Sequence, residues 1–400
     1  MGVTTKRNTA VRGKDCLDCG FCETYIACPK NEVGCVGCGA CVKACPQGAI
    51  RLEPVSRPGP GIPFVADGEP HTVQGPVSVL EALRRVDKVP RSLGSPGVLC
   101  GTGGCWNCAV LINGALARGC VTPLREGMEI ITTPERIKDE EPRRIVRLMR
   151  PPPHYHPTVF TYGCNFVCGA CHNWDMTFSS TGRALSPREV GRHLHLRPEE
   201  DYWIGISGGE PTLNRHWLLE TLSRLRELAS DTRIQLDTNA SLLTHDYIDE
   251  LVSAGVTDIS PDLKAFRLET FMRTTGVSEP EVARLFLETA WEAVRYLNSS
   301  YRGRVFMAVS LPYHPRTHSL EELREAASAL FDIDPDMPVT LIEYQPAFRT
   351  RDLSFVSEEM MEKARNVATA TGLRRVIVQG GPSIPRALDP LELALSSEEF

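Results

Sequence analysis

The sequence predicts an α/β protein, a partial or full TIM-like parallel barrel preceded by two small cysteine-rich modules. Three observations carry this expectation: a strand, loop and helix pattern that repeats from about residue 157, two proline-rich joints upstream of it, and fifteen cysteines in three groups. Alternating strands and helices point to a parallel sheet, and this many units to a barrel, in which function sits in the loops at the C-terminal ends of the strands.

Taken in order, the strands are expected at 158–162, 202–206, 233–236, 258–263, 304–311, 339–344 and 375–378, with helices such as 217–228, 280–296 and 320–330 between them. The joints Ser56-Arg-Pro-Gly-Pro-Gly-Ile-Pro63 and Pro151-Pro-Pro-His-Tyr-His-Pro157 resist helix and strand pairing and so mark boundaries. The expected modules are residues 8–55, 62–134 with a helix near Val77 to Val86, a helical and proline-rich linker 135–156, and the barrel with a C-terminal extension, 157–400.

Composition narrows the function class. A formal net charge of −6 and the lack of a dense Lys/Arg run offer no phosphate-tracking groove, so no nucleic-acid partner is expected. The first fifteen residues lack an apolar core and no segment approaches the roughly 20 apolar residues that span a bilayer, so no membrane association and a cytoplasmic location are expected. In a reducing compartment, cysteines in such numbers mean metal ligation rather than disulfides. Their grouping as eight, four and three leaves none over.

The first group is Cys16, Cys19, Cys22 and Cys28-Pro29, then Cys35, Cys38, Cys41 and Cys45-Pro46. It resembles the bacterial two-cluster [4Fe-4S] ferredoxins, in which the cysteine before proline reaches the other cluster. The resemblance implies one cluster on Cys16, Cys19, Cys22 and Cys45 and a second on Cys28, Cys35, Cys38 and Cys41. Five residues separate Cys22 from Cys28 where three are usual, so local ligation within each quartet stays open, as does a pair of zinc ribbons. The second group, Cys100-x4-Cys105-x2-Cys108 with Cys120, has plant-type [2Fe-2S] spacing. With Phe64-Val-Ala-Asp-Gly68 upstream, it resembles a β-grasp ferredoxin over about residues 62–134, and Gly101, Gly103 and Gly104 suit a loop wrapped tightly round a cluster. Trp106 stands where relatives carry a small residue.

The third group, Cys164-Asn-Phe-Val-Cys168-Gly-Ala-Cys171, follows the first barrel strand, and Ile206-Ser-Gly-Gly-Glu-Pro211 ends the next. Three thiolates leave one iron of a cubane open. Together the two motifs resemble the radical S-adenosylmethionine (SAM) superfamily over about residues 157–380. The resemblance implies a third [4Fe-4S] cluster at Cys164, Cys168 and Cys171 and a SAM site at Gly208, Gly209 and Glu210, where Glu210 either accepts from the SAM ammonium or ties the loop down. Ala170 stands where the family usually has an aromatic residue. Cys171-His-Asn173, Leu236-Asp-Thr-Asn239, Asp262-Leu-Lys264 and Thr275-Gly276 narrow the resemblance to the activating enzymes of glycyl-radical proteins, such as pyruvate formate-lyase activating enzyme. This adds Asn239, Asp262 and Lys264 to the SAM site, Asp262 with a monovalent cation as an optional cofactor. Asn239 as a strand terminator, and Asp262 with Lys264 as a surface ion pair, remain alternatives.

The function implied is reductive cleavage of SAM to a 5′-deoxyadenosyl radical, which removes hydrogen from an unactivated carbon of a protein partner. Electrons would arrive from a ferredoxin or flavodoxin through the chain's own clusters. Two alternatives stay open. One is a cobalamin-dependent C-methyltransferase, such as the enzyme acting on glutamine of methyl-coenzyme M reductase, although no D-x-H-x-x-G corrinoid motif is present. The other is an electron carrier without SAM chemistry. No catalytic acid, base or radical relay is assigned, and His154, His156, His314 and His318 receive no role.

Overall fold

The computed structural model describes residues 7–55, 59–93, 98–137, 140–151, 156–197 and 199–380. Parts of both proline joints, His154 and the last twenty residues lie outside these. The chain forms two compact units: residues 1–146 with 161–165 and 174–186, and residues 147–160 with 166–173 and 187–400.

In the first unit the N-terminal block is a two-stranded antiparallel sheet, Arg7–Arg12 against Ile50–Val55, enclosing three short helices, Phe21–Thr24, Lys30–Val33 and Ala40–Ala44. Its core is small: Cys45, Ala49 and Ile50 are buried, with Ala10, Cys16, Cys22, Cys41 and Val42 packed on them. So little apolar surface leaves such a module dependent on bound metal for its stability.

The next block is a five-stranded sheet in the order Glu69–Gln74, Gly61–Ala66, Glu129–Ile131, Ala109–Ile112, Ala115–Arg118. Helix Val79–Arg85 starts where the Ser78 hydroxyl accepts from Glu81 N–H, and it buries Val79, Leu80, Ala82 and Leu83. Val79, Ala82 and Leu83 join Phe64, Ala66, Val110 and Ile130 in one core, the expected β-grasp arrangement.

Residues 135–156 were expected as a helical, proline-rich linker. Instead they hold strand Arg144–Met149, paired antiparallel at Ile145 with Ala184 and Arg144 with Leu185. Burial of Ile145 and Val146 drives the pairing, and the fully buried Arg144 guanidinium is satisfied in part by the Tyr162 carbonyl at 3.1 Å.

In the second unit the strands Thr158–Thr161, Trp203–Gly208, Arg233–Thr238, Asp258–Pro261 and Phe306–Met307 are consecutive neighbours, and from Trp203 onward they pair in parallel. The expected strand 304–311 is two pieces. After a break at Ala308, Val309–Tyr313 pairs in parallel with Pro338–Glu343 and that strand with Arg375–Gln379, while a bridge between Asp262 and Ser310 keeps it beside the preceding sheet, and among the described residues no strand joins Arg375–Gln379 to Thr158–Thr161. The barrel is therefore partial.

Helix Pro280–Tyr301 shows why the pattern folds this way. Ala283, Phe286, Ala290, Trp291, Ala293, Val294 and Leu297 recur at three- and four-residue spacing, giving one buried stripe. On the strands, Ile204, Ile206, Ile234, Leu236 and Ile259 are fully buried, whereas Ser207, Gln235, Asp237 and Ser260 at alternate positions are polar. Gln235 donates to Asp237 and to the Ser260 hydroxyl across the strands, so the other face of this sheet is hydrophilic rather than a closed apolar core.

Candidate functional site

In the second unit the loop carrying Cys168 and Cys171 is held from three sides. Val167 N–H donates to the Thr275 carbonyl at 2.8 Å, Arg349 N–H donates to the Gly169 carbonyl at 2.8 Å, and Ala170 N–H donates to the Tyr344 hydroxyl at 3.0 Å. The Thr275-Gly276 element gains a physical reason here. Gly276 caps helix Leu268–Thr275 at φ +70°, and a Cβ there would stand 2.9 Å from the Val167 carbonyl oxygen. Ala170, Tyr344 and Leu353 form a small buried cluster, so an aromatic ring from a strand end packs where the loop itself has only a methyl group.

Asp262 and Lys264 face this loop. Lys264 Nζ lies 2.5 Å from Asp262 Oδ2, while Asp262 Oδ1 is sealed from solvent without a hydrogen-bond partner. Burial by itself would lower the Lys264 ammonium's pKa, but the charges of Asp262 and Cys168 outweigh it and hold Lys264 protonated. Burial pushes the Cys168 thiol up, opposed by Lys264. Burial, then Lys264, pushes His172 down, against the pull of Glu343 and Asp262. These shifts report that Cys168, His172, Asp262, Lys264 and Glu343 share one electrostatic neighbourhood at the strand ends. An ion pair with one orphaned acceptor suits an added cationic group, either an ammonium or a monovalent metal ion.

Glu210 is fully buried, and its carboxyl accepts four hydrogen bonds: Thr212 N–H at 3.0 Å, Thr212 Oγ1 at 2.6 Å, Thr238 Oγ1 at 2.7 Å and Asn239 N–H at 2.7 Å. Of the two roles open to it, these bonds perform the tie, joining the loop to the neighbouring strand end. Gly208, at φ +116°, takes a backbone conformation that a side chain would strain, and with Gly209 it leaves main-chain carbonyls as the loop's own acceptors. Asn239 Oδ1 accepts from Ser241 N–H at 3.0 Å and Ser241 Oγ at 2.6 Å, a turn that stops the strand.

Sequence reasoning passed over Tyr344 and Asp237. Asp237 sits among Gln235, Ser207 and Ser260 on the polar sheet face, its carboxyl pushed up chiefly by burial. Its alternation with Leu236 was a usable signal; nothing local marks Tyr344. Of the four histidines left without a role, His154 lies outside the described residues, His156 stacks on Trp203, His318 Nε2 lies 3.2 Å from the Lys264 carbonyl and His314 Nε2 lies 3.1 Å from that of Ser354. Two clefts lie elsewhere. One of about 640 Å³ is lined by Arg233, Phe306, Pro338 and Arg375 at the strand beginnings, and one of about 690 Å³ by helix residues around His245 and Trp291. Neither touches the motif residues.

In the first unit Cys100, Cys105, Cys108 and Cys120 are all buried and adjacent. Cys105 and Cys120 are held well above the usual thiol range, first by side-chain hydrogen bonds to Cys100 and Cys108 and then by burial. Main-chain donors already point at sulfur: Thr102 N–H to Cys100 Sγ at 3.4 Å and Cys120 N–H to Cys108 Sγ at 3.4 Å. Four thiols crowded away from water, with N–H groups aimed at them, fit a cluster that would take up their negative charge.

The eight N-terminal cysteines are more open, and Cys28 is exposed. Cys41 is pushed up to about 12 by burial and then by Cys38, Cys28 and Cys35, which therefore lie near it. Cys16, Cys22 and Cys41 all pack on the small core around Cys45, and Arg12, paired with Glu23, faces Cys22 and Cys16. Among the described residues no three His, Cys, Asp or Glu side chains are grouped as ligands of a single metal ion would be. A cluster asks for a looser grouping, because each thiolate binds a different iron.

Family models match three stretches: the radical SAM superfamily over residues 158–330, a 2Fe-2S iron-sulfur cluster binding domain over 60–135, and a 4Fe-4S binding domain over 29–51. The chain thus carries a radical SAM domain together with ferredoxin-type iron-sulfur domains. A Methanocaldococcus jannaschii protein, provisionally named a glycyl-radical enzyme activating enzyme, is 27% identical over 218 residues, 53% of this chain and 76% of that relative. An uncharacterized protein of the same organism is 24% identical over 229 residues, 54% of this chain and 72% of its own length. Among solved structures, Streptococcus suis SuiB bound to S-adenosylmethionine is similar at a TM-score of 0.43 and 17% identity, covering 59% of this chain and 51% of SuiB. This chain thus aligns with about half the length of that solved protein. The radical SAM domain contains both the cysteine loop and the Gly208-Gly209-Glu210 turn, and the 4Fe-4S match takes in Cys35, Cys38, Cys41 and Cys45. Among the described residues no helix is long and apolar enough to cross a membrane.

Proposed function

We propose that the radical SAM domain binds S-adenosylmethionine at the Cys164, Cys168 and Cys171 cluster and acts on a carbon of a protein partner, as an activating enzyme does. When bound, the cluster and SAM supply reductive cleavage to methionine and a 5′-deoxyadenosyl radical that removes hydrogen from an unactivated carbon. The observation that carries the SAM site is the orphaned Asp262 Oδ1 beside Lys264 and Cys168, a buried acceptor in need of a cation. Tyr344 and Thr275 hold the cysteine loop, Glu210 holds the glycine turn, and the carbonyls of Gly208 and Gly209 receive the ammonium of SAM. The partner's class is supported by the name of the Methanocaldococcus relative.

For the accessory centres we assign Cys16, Cys19, Cys22 and Cys45 to one [4Fe-4S] cluster and Cys28, Cys35, Cys38 and Cys41 to the other. The nearness of Cys28 to Cys38 and Cys41 supports this crossed partition. Cys100, Cys105, Cys108 and Cys120 hold a [2Fe-2S] cluster.

The test is anaerobic. Reconstituted protein is reduced with dithionite, SAM is added, and 5′-deoxyadenosine is measured by chromatography. Product formation with wild type is expected; its absence from fully clustered protein would overturn the SAM assignment. Cobalamin retained by the purified protein, together with methyl transfer from SAM, would replace hydrogen abstraction by C-methylation.

A further inference from the structure

The first unit contains all twelve accessory cysteines and also residues 161–165, so the surroundings of Cys164 and those of the accessory loops belong to one compact body. Within it the Cys100–Cys105 loop meets the chain just before Cys164. A Cβ placed on Gly163 would stand 2.8 Å from Cys105 N, 3.0 Å from Cys100 Cβ and 3.1 Å from Cys105 Cβ. The reverse contact is as tight: a Cβ on Gly104 would stand 2.8 Å from Gly163 N and 2.9 Å from the Tyr162 carbonyl carbon. Two glycines facing each other let two backbones touch, which is the use of glycine at a close approach. Hydrogen bonds fix the contact. Ile145 N–H donates to the Gly104 carbonyl, Tyr162 N–H to the Ile145 carbonyl, and Gly163 N–H to the Thr177 carbonyl.

A second junction lies upstream. Lys43, between Cys41 and Cys45, donates from Nζ to the Cys100 carbonyl at 2.8 Å. Cys38 and Cys120 line the same small cavity of about 180 Å³. Exposure then gives a direction. Seven of the eight N-terminal cysteines are half-buried or exposed, whereas all four of the middle group are buried. A soluble carrier can approach the first set and is kept from the second.

We propose that the four-cysteine module is the immediate electron donor to the Cys164 end of the barrel motif, through the Gly104–Gly163 backbone contact, with the eight-cysteine block upstream as the port for an external carrier. The proposal rests on the radical SAM reading above and adds the order of flow. Each transfer moves one electron and no proton. The reductant is a one-electron carrier of the ferredoxin or flavodoxin class, and the final acceptor is the SAM sulfonium. A competing route exists in the same unit, since Phe21, next to Cys22, packs against Trp174 with ring centroids 4.8 Å apart. It is the longer path. Two aromatic rings intervene, and Trp174 is three residues beyond the nearest cluster cysteine, whereas Gly163 is bonded directly to Cys164.

The test uses the full chain, reconstituted with iron and sulfide, as wild type, Gly104→Ala and Cys108→Ala. Gly104 has no left-handed backbone requirement, so alanine there wedges the contact without straining its own φ. Iron content and circular dichroism report folding and loading for each variant. Electron paramagnetic resonance of the fully reduced protein reads how the barrel cluster's spin relaxes. Freeze-quenching after mixing with reduced flavodoxin reads the order in which centres fill. In wild type the [2Fe-2S] signal should appear before the barrel signal and speed its relaxation. Gly104→Ala should weaken both effects, and Cys108→Ala should lose both. A barrel signal that relaxes and fills in both variants just as it does in wild type would overturn the proposal and leave the Phe21–Trp174 route. Failure of SAM cleavage by dithionite-reduced wild type would strike the proposed function instead, since neither spectroscopic readout needs SAM.

Discussion

The Cys100–Cys120 loop and the strand ends around Cys168 both surround thiols, yet they are finished differently. In the first, every sulfur is buried and main-chain N–H groups already point at Cys100 and Cys108. In the second, the loop backbone is as firmly held, but Asp262 Oδ1 is left without a partner next to a buried ion pair. An unsatisfied buried acceptor costs free energy on the order of 1 to 3 kcal/mol, so a fold that keeps one has a use for it. A centre that only passes electrons gains from closure; one that must chelate a second molecule needs an unfilled coordination position.

The largest expected effect breaks the comparison at its root. Cys164→Ala, Cys168→Ala and Cys171→Ala together should abolish 5′-deoxyadenosine formation under dithionite, while Cys108→Ala should retain it, because a chemical reductant bypasses the closed centre. Chromatography of the two reactions side by side checks this. If Cys108→Ala abolished dithionite-driven cleavage as well, the two sites would not differ in role.

Next comes Glu210→Ala. Removing a buried carboxyl that accepts four hydrogen bonds strands its donors, and a loss of about 4 kcal/mol is expected from urea unfolding followed anaerobically. Glu210→Gln should lose clearly less. Equal losses would show that the tie is not made through the carboxyl.

The pH dependence of the barrel unit comes third. His318 is pushed down to about 4 by burial, from an ordinary value of 6.5. Its folded form stays neutral where the unfolded chain is protonated, so its contribution is complete above about pH 6.5 and is lost as pH falls toward 4. At about 1.4 kcal/mol per pH unit the loss approaches ~3.5 kcal/mol. Unfolding midpoints at several pH values should show this slope in wild type and a shallower one in His318→Gln.

Tyr344→Phe is the smallest change. It leaves Ala170 N–H without its acceptor and should cost about 1 kcal/mol, with a higher KM for SAM as the loop loosens. An unchanged KM would separate the loop's support from its binding role.

The composition of the two sites was legible to different depths. Cysteine spacing identified every thiol group, because a cluster's ligands must come from short loops and their spacing survives in one dimension. The polar sheet face was legible only in part, since Ser207, Asp237 and Ser260 alternate with buried aliphatic residues but are scattered over three strands. The linker expected at 135–156 was misjudged because its prolines speak locally, while strand Arg144–Met149 is made by partners at Ala184 and Leu185, some forty residues away.

By itself the sequence determined the three cysteine groups, the α/β character of the larger unit and the glycine turn at 208–210, all properties of spacing and periodicity. Only the tertiary structure decided that Glu210 is a tie, that Tyr344 stands against Ala170 and that Gly104 meets Gly163. Each of these joins residues far apart in the chain, and nothing local in either partner records the distance between them.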